Sequence, residues 1–210
     1  MGTRASERGR PRPRPAGVSY TKRIVIVPPD PTWPARFQTV ARQLRDALGE
    51  RVSGIHHIGS TSVSGLPAKD VLDVQLTVAD LGTANDVLAL LAALGLTLRP
   101  EVTADHLPPG LELPPADLAK RYAHRPGELH VHIREEGRFN QRYALLMRDF
   151  LRAVPAARDA YAEIKRQLAR LQPADTEAYY AVKDPVMDLL IAGAEQWAAR
   201  TDWHLPPADA

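Results

Sequence analysis

Residues 71–78 read VLDVQLTV, with apolar and polar side chains alternating without a break from Leu72 to Val78. Leu72, Val74, Leu76 and Val78 point to one side, and Asp73, Gln75 and Thr77 to the other. A period of two is the signature of a β-strand. A chain carrying this segment must build a sheet that buries one face and turns its polar face toward a cleft. Directly upstream, VSGIHHI reads as another strand, and it runs into Gly59-Ser60-Thr61-Ser62. Glycine lets the backbone approach a ligand closely, and free N–H groups with three hydroxyls can receive phosphate oxygens. A phosphate-type turn followed by a strand with an inward carboxylate is therefore the chemical centre of the sequence.

The flanking pattern places this pair in a mixed fold. RIVIV (residues 23–27) is β-branched and predicts a strand. Phe37, Val40, Ala41, Leu44 and Leu48 repeat at helical spacing, with Gly49 at the helix end. Val87, Leu88, Leu91 and Leu94 predict a second helix ending at Gly95, and LTLRPE a further short strand. Residues 104–117 are proline-rich and read as a loop. LAKRYAH and ELHVHIRE then form a hairpin around Pro126-Gly127, with His130, His132 and Arg134 alternating with Leu129, Val131 and Ile133. From about residue 138 the apolar spacing is helical throughout. Tyr143, Leu146, Met147, Phe150 and Val154 mark one helix, and Tyr161, Ile164, Leu168 and Leu171 a second. A third begins near Asp175 and is expected to break at Asp184-Pro185, where Asp184 caps a new helix. The expected class is α+β, a mixed sheet flanked by helices with a helical C-terminal unit. The expected division is a disordered basic tail (1–19), an α/β core (20–137), a helical unit (138–200) and a flexible tail (201–210).

Composition sets the outer bounds. At 210 residues, 44% hydrophobic and 25% charged, the chain suits one globular domain with a small helical appendage. The formal net charge is only +2, and much of the basic character lies in RASERGRPRPRPAG, so it is no signature of nucleic-acid binding. Aromatic residues are 6%, and several belong to helical stripes, which argues against a polynucleotide substrate. There is no long apolar run for a membrane span and no signal-type apolar core. Cysteine is absent, which excludes disulfides, thiolate metal sites and a cysteine nucleophile, and fits a cytoplasmic protein.

The pieces PDPTWPARF, IHHIGSTSVSGLPAKDVLDVQLTV, ELHVHIREEG, RYALLMRDFLR, YAEIKRQLA and YYAVKDPVMDLLI resemble the GrpB family, over about residues 22 to 200. This family belongs to the superfamily of DNA polymerase beta-like nucleotidyltransferases. The similarity is closest to the GrpB-like domain fused behind dephospho-CoA kinase in some actinobacteria. No GxxxxGK[ST] motif is present, so kinase activity is not implied. The resemblance implies a nucleotidyltransferase-like fold. It also implies that Gly-Ser holds triphosphate while Asp-x-Asp or Asp-x-Glu holds metal.

This sequence departs from that pattern, because Gln75 stands where the second acid belongs, and glutamine is a poor Mg²⁺ ligand. His130 and His132 are the residues expected to join Asp73 as catalytic groups and metal ligands. Such a set suits Mn²⁺, Zn²⁺ or Fe²⁺ better than Mg²⁺. The phosphate-binding candidates are Gly59, Ser60, Thr61, Ser62, Lys69, Arg134, Arg142 and Lys183, with Lys165 and Arg166 following. Three readings result. The first is transfer of a nucleotidyl group from an NTP to a small-molecule acceptor with a divalent metal, Mg or Mn. The second is a catalytically degenerate module that binds a nucleotide or phosphorylated ligand, or engages a protein partner. The third is a His/Asp transition-metal site with other chemistry.

Overall fold

The computed structural model describes residues 23–172 and 174–210; the basic segment 1–19 lies outside them. The described chain forms five helices, α1 (Trp33–Leu48), α2 (Asn85–Ala93), α3 (Phe139–Ala153), α4 (Pro155–Leu171) and α5 (Thr176–Thr201). It forms five strands, β1 (Gly54–Ile58), β2 (Leu72–Val78), β3 (Thr97–Leu98), β4 (Lys120–Arg125) and β5 (Leu129–Glu135). Their order in the sheet is β1-β2-β5-β4-β3. Only β2 and β5 run parallel; the other neighbours are antiparallel.

The alternation of β2 decides how the layers stack. Leu72, Val74, Leu76 and Val78 join Ile55, Val131 and Ile133 in one buried cluster with Trp33, Phe37, Ala41 and Leu44 of α1 and Val87 and Leu91 of α2. Helices α1 and α2 therefore close the apolar face. The register of the parallel pair sets Asp73 beside His130 and Gln75 beside His132. The hairpin continues the rows outward, with His124 opposite His130 and Tyr122 opposite His132. This second face is roofed by the C-terminal helices, whose own core holds Val63, Leu66, Leu146, Met147, Tyr161 and Ile191. The polar row thus lies between sheet and helical unit, where each group needs a partner.

Three segments differ from the sequence expectation. RIVIV is not a strand. Only Val27 bridges, to Ala68, while Ile24 packs against Leu168 and Tyr179. Burial against helices outweighs the β-branched preference of the run. Helix α5 does not break at Asp184; it is continuous with Pro185 inside it, and its cap is Asp175, which accepts a hydrogen bond from the Ala178 N–H at 2.8 Å. Proline costs this helix one backbone hydrogen bond. Packing against α3 and α4 outweighs that loss, with Ile191, Ala194 and Ala198 buried.

The segment after α5, expected to be flexible, returns to the sheet. The Asp209 and Ala210 N–H groups donate to the Ile55 carbonyl at 3.1 and 3.2 Å, along the free edge of β1. The Asp209 carboxylate accepts from the His57 N–H and from Arg148, both at 2.8 Å, and Arg45 donates to the Ala210 carbonyl at 2.9 Å. Composition alone hides this, because the anchors are single polar contacts rather than an apolar stripe.

Candidate functional site

The end of β1 and the turn after it are built tightly. Gly59 has φ of 69° and ψ of −169°, a conformation that glycine alone adopts without strain. A Cβ at this position would meet the Asp73 side chain, 2.9 Å from both its Cβ and Cγ and closer still to Oδ2. Glycine is thus required twice, by the turn and by the carboxylate beneath it. Two of the three hydroxyls hold the turn itself. Ser62 Oγ donates to the Gly59 carbonyl at 2.6 Å, and Thr61 Oγ1 pairs with His57 Nε2 at 3.0 Å. Arg152 donates twice to the Ser62 carbonyl, at 3.0 and 2.8 Å. Thr61 and Ser62, expected as phosphate ligands, are spent on structure.

Ser60 is different. Its hydroxyl lies 3.1 Å from the Lys165 Nζ. Lys165 sits on the inward face of α4, between Tyr161 and Leu168, and is 2% exposed. Its ammonium donates to the Pro67 carbonyl and lies 4.6 Å from the Tyr161 ring. Burial, then the like charges of Lys183 and Arg166, push the amine down to about 7, while Asp73 acts in the opposite sense.

Two more lysines approach the same place. Lys69 Nζ is 3.5 Å from the Tyr180 hydroxyl and lies over the Tyr179 and Tyr180 rings at 4.8 and 5.1 Å. Lys183 reaches the Tyr180 ring at 5.8 Å. Burial and the Lys183 charge also lower the Lys69 amine, with Asp73 again opposing. The contacts of these three lysines are hydroxyls, a carbonyl and aromatic rings; among the described residues none forms an ion pair with a carboxylate.

Asp73 closes the site from β2. His130 Nδ1 lies 3.1 Å from Asp73 Oδ1, and His132 Nε2 lies 3.6 Å from the same oxygen. Burial would raise the carboxyl; the two imidazoles outweigh it and hold it well below the usual carboxylate range. Burial likewise brings His132 down to about 4, so it is neutral at physiological pH.

The three residues converge, but they do not form a ready metal cage. His132 Nδ1 is buried without a hydrogen-bond partner among the described residues. The better tautomer carries its proton on Nε2, aimed at Asp73. Turning that nitrogen's lone pair to an ion would leave an unpaired N–H at Nδ1, a cost of about 1–3 kcal/mol. Among the described residues no group of three His, Cys, Asp or Glu side chains is placed to hold an ion.

The comparisons with known proteins agree with this architecture. The family model described as "GrpB protein" matches residues 23–192. The chain belongs to the GrpB family. A dephospho-CoA kinase of Mycolicibacterium paratuberculosis is 36% identical over 154 residues, covering 64% of this chain and 37% of the kinase. The chain therefore spans little more than a third of that relative. A UPF0157 protein of Streptomyces coelicolor is 38% identical over 126 residues, 59% of each chain. Among solved structures, conserved protein GrpB from Enterococcus faecalis superposes with a TM-score of 0.69 at 26% identity, covering 82% of this chain and 99% of that one.

Within this GrpB-family fold, two expected phosphate ligands are drawn away. Arg142 forms a two-pronged ion pair with Glu195 and lies over Trp203. Arg134 donates to Asp105 through Nε and Nη2 and to Gln75 Oε1 through Nη1. Gln75 is fully buried, and its amide also donates to the Gln141 carbonyl at 3.2 Å. It therefore ties β2 to α3 and to Arg134 where a second acid would be a metal ligand. The carboxylate that balances Arg134 is Asp105, which also receives Lys120 at 2.6 Å and Asn140 at 3.1 Å. Sequence reasoning missed Asp105 because it sits in a proline-rich loop with no periodicity. Lys165 carried a usable signal, a charge on the apolar stripe of a helix.

Proposed function

We propose that this GrpB-family chain binds the phosphate chain of a nucleotide in the space between the Gly59-Ser60 turn and the lysines of α4, α5 and the β2 approach. One observation carries this reading. Lys183 acts electrostatically on both Lys69 and Lys165, the latter in contact with Ser60, and among the described residues none of the three forms an ion pair with a carboxylate. Like charges held together under desolvation are costly unless an anion joins them. A polyphosphate supplies that anion, and Ser60 and the flanking backbone supply hydrogen bonds. The aromatic rings of Tyr179 and Tyr180 keep the ammonium groups in place through cation–π contact. The lysines offset charge here without help from a metal ion.

A second reading, nucleotidyl transfer, is favoured by the Asp73–His130 pair. Asp73 fixes one ring nitrogen of His130, whose side chain is 36% exposed. The other nitrogen is then free to take a proton from an acceptor hydroxyl as it attacks the α-phosphate, with pyrophosphate leaving toward the lysines.

The test is thermal shift and calorimetry with ATP, CTP, GTP, UTP and inorganic triphosphate, each with and without a chelator. Stabilisation that survives the chelator and is lost in Lys69→Met or Lys183→Met supports the binding reading. Binding that requires a divalent ion, or ignores both lysines, overturns it. Transfer is scored separately, by release of pyrophosphate that is lost in His130→Gln and Asp73→Asn.

A further inference from the structure

Ser60 and Lys165 make an arrangement that phosphate binding does not require. A hydroxyl that only receives a phosphate needs no buried amine behind it. Here the Lys165 Nζ stands 3.1 Å from Ser60 Oγ, within the reach of a base and its nucleophile. The Lys165 Nζ also donates to the Pro67 carbonyl and lies 4.6 Å from the ring of Tyr161 on the same helix. Ser60 follows Gly59 at the end of a strand, on a turn whose backbone only glycine can make, so its side chain is presented at a sharp corner. It is partly exposed, while Lys165 is 2% exposed. A partly exposed nucleophile with a buried base within hydrogen-bond reach is a working geometry for covalent catalysis.

We propose that Ser60 is a nucleophile activated by Lys165, and that the site forms and cleaves an acyl-serine ester with acyl donors whose leaving group carries phosphate. The neutral amine of Lys165 accepts the Ser60 hydroxyl proton as Oγ attacks the acyl carbonyl. The Oγ–carbon bond forms, the bond to the leaving oxygen or sulfur breaks, and the lysine ammonium returns its proton to that leaving atom. Water then attacks the ester with Lys165 again as base; the carbon–Oγ bond breaks and the proton passes back to Ser60. No oxidant, reductant or metal enters this balance. The charged groups acting on Lys165 are Lys183 of α5, Arg166 of α4 and Asp73 of β2, and burial is the largest influence of all. Together they leave much of the amine unprotonated near pH 7, as a general base requires. Lys69 and Lys183 are assigned the phosphate of the leaving group, and this choice of leaving group rests on the binding reading above while the attack by Ser60 does not.

The experiment is covalent labelling of the full chain by an alkyl fluorophosphonate, with peptide mass spectrometry to locate the adduct. Attack by Ser60 Oγ on phosphorus expels fluoride, and no nucleotide or acyl donor is needed, so the result is independent of the proposed phosphate site. The expected result is one adduct, on Ser60, at a rate that rises with pH through about 7. In Lys165→Met the rate falls about 100-fold or more. Because Lys165→Met removes a buried contact, the pH profile of the unmodified chain stands as a second test that needs no variant. Absence of a Ser60 adduct overturns the proposal. So does a labelling rate that is flat across pH 6 to 8.5 in the unmodified chain, or one that persists unchanged in a folded Lys165→Met.

Discussion

Gly59→Ala is the substitution whose cost the geometry fixes best. The residue sits at φ 69° and ψ −169°, a region open to glycine and costing other residues about 1–3 kcal/mol. The added methyl also enters the space of Asp73, 2.9 Å from its Cβ and Cγ and nearer to Oδ2. Asp73 cannot retreat freely, because His130 and His132 hold its other oxygen. Overpacking of this kind costs about 1–3 kcal/mol. Taking the middle of both ranges and allowing for partial relaxation gives a loss of about 3 kcal/mol. For a chain of this size each kcal/mol lowers Tm by about 2–4 °C, so the expected drop is about 6–12 °C. Urea unfolding followed by circular dichroism reads the free energy directly. The displaced Asp73 should also lengthen its contact with His130 Nδ1, visible as changed chemical shifts of the His130 ring by NMR. An alanine variant with unchanged Tm and unchanged His130 ring shifts would refute the claim that Gly59 and Asp73 are packed against each other.

Other expectations follow from the same contacts. Lys165 has its amine at about 7 in the folded chain and near the ordinary lysine value of 10.5 when unfolded. Between these values the unfolded chain binds more protons, so this residue makes the fold more stable as pH rises through that window. Comparison of unfolding free energy against pH should show a positive contribution that disappears in Lys165→Met. Phosphate binding has the opposite slope. It favours the charged amine, so triphosphate affinity measured by calorimetry should fall as pH rises above about 7. Asp209→Ala leaves Arg148, 3% exposed, with one carboxylate fewer, and releases the last residues from β1. A loss of about 1–3 kcal/mol and faster amide exchange at His57 are expected. Arg142→Ala should leave triphosphate binding unchanged, since its guanidinium is committed to Glu195.

The sequence showed those parts of the molecule that repeat. The alternation in VLDVQLTV and ELHVHIRE placed Asp73, His130 and His132 on one face, and the register of β2 against β5 brings them together. Helical spacing found α1 to α5 for the same reason: a buried stripe must recur every three or four residues. What escaped was set by single contacts. Asp105 lies in a loop, and its burial comes from Arg134, Lys120 and Asn140, on elements remote in sequence. Arg142 reads as a phosphate ligand because it lies in RYALLMRDFLR, one of the pieces that carry the family resemblance, yet Glu195 on another helix claims it. Pro185 signalled a break that tertiary packing overrides. Asp209 and Ala210 sit in an unpatterned polar segment, and only the open edge of β1 gives them a place.

The most direct test of the account is a calorimetric titration of inorganic triphosphate into the full chain, in a chelator, beside the variant carrying both Lys69→Met and Lys183→Met. The account predicts saturable binding in the unmodified chain that the double variant loses while keeping its fold. Equal binding by both, or binding that appears only when a divalent ion is added, would contradict it.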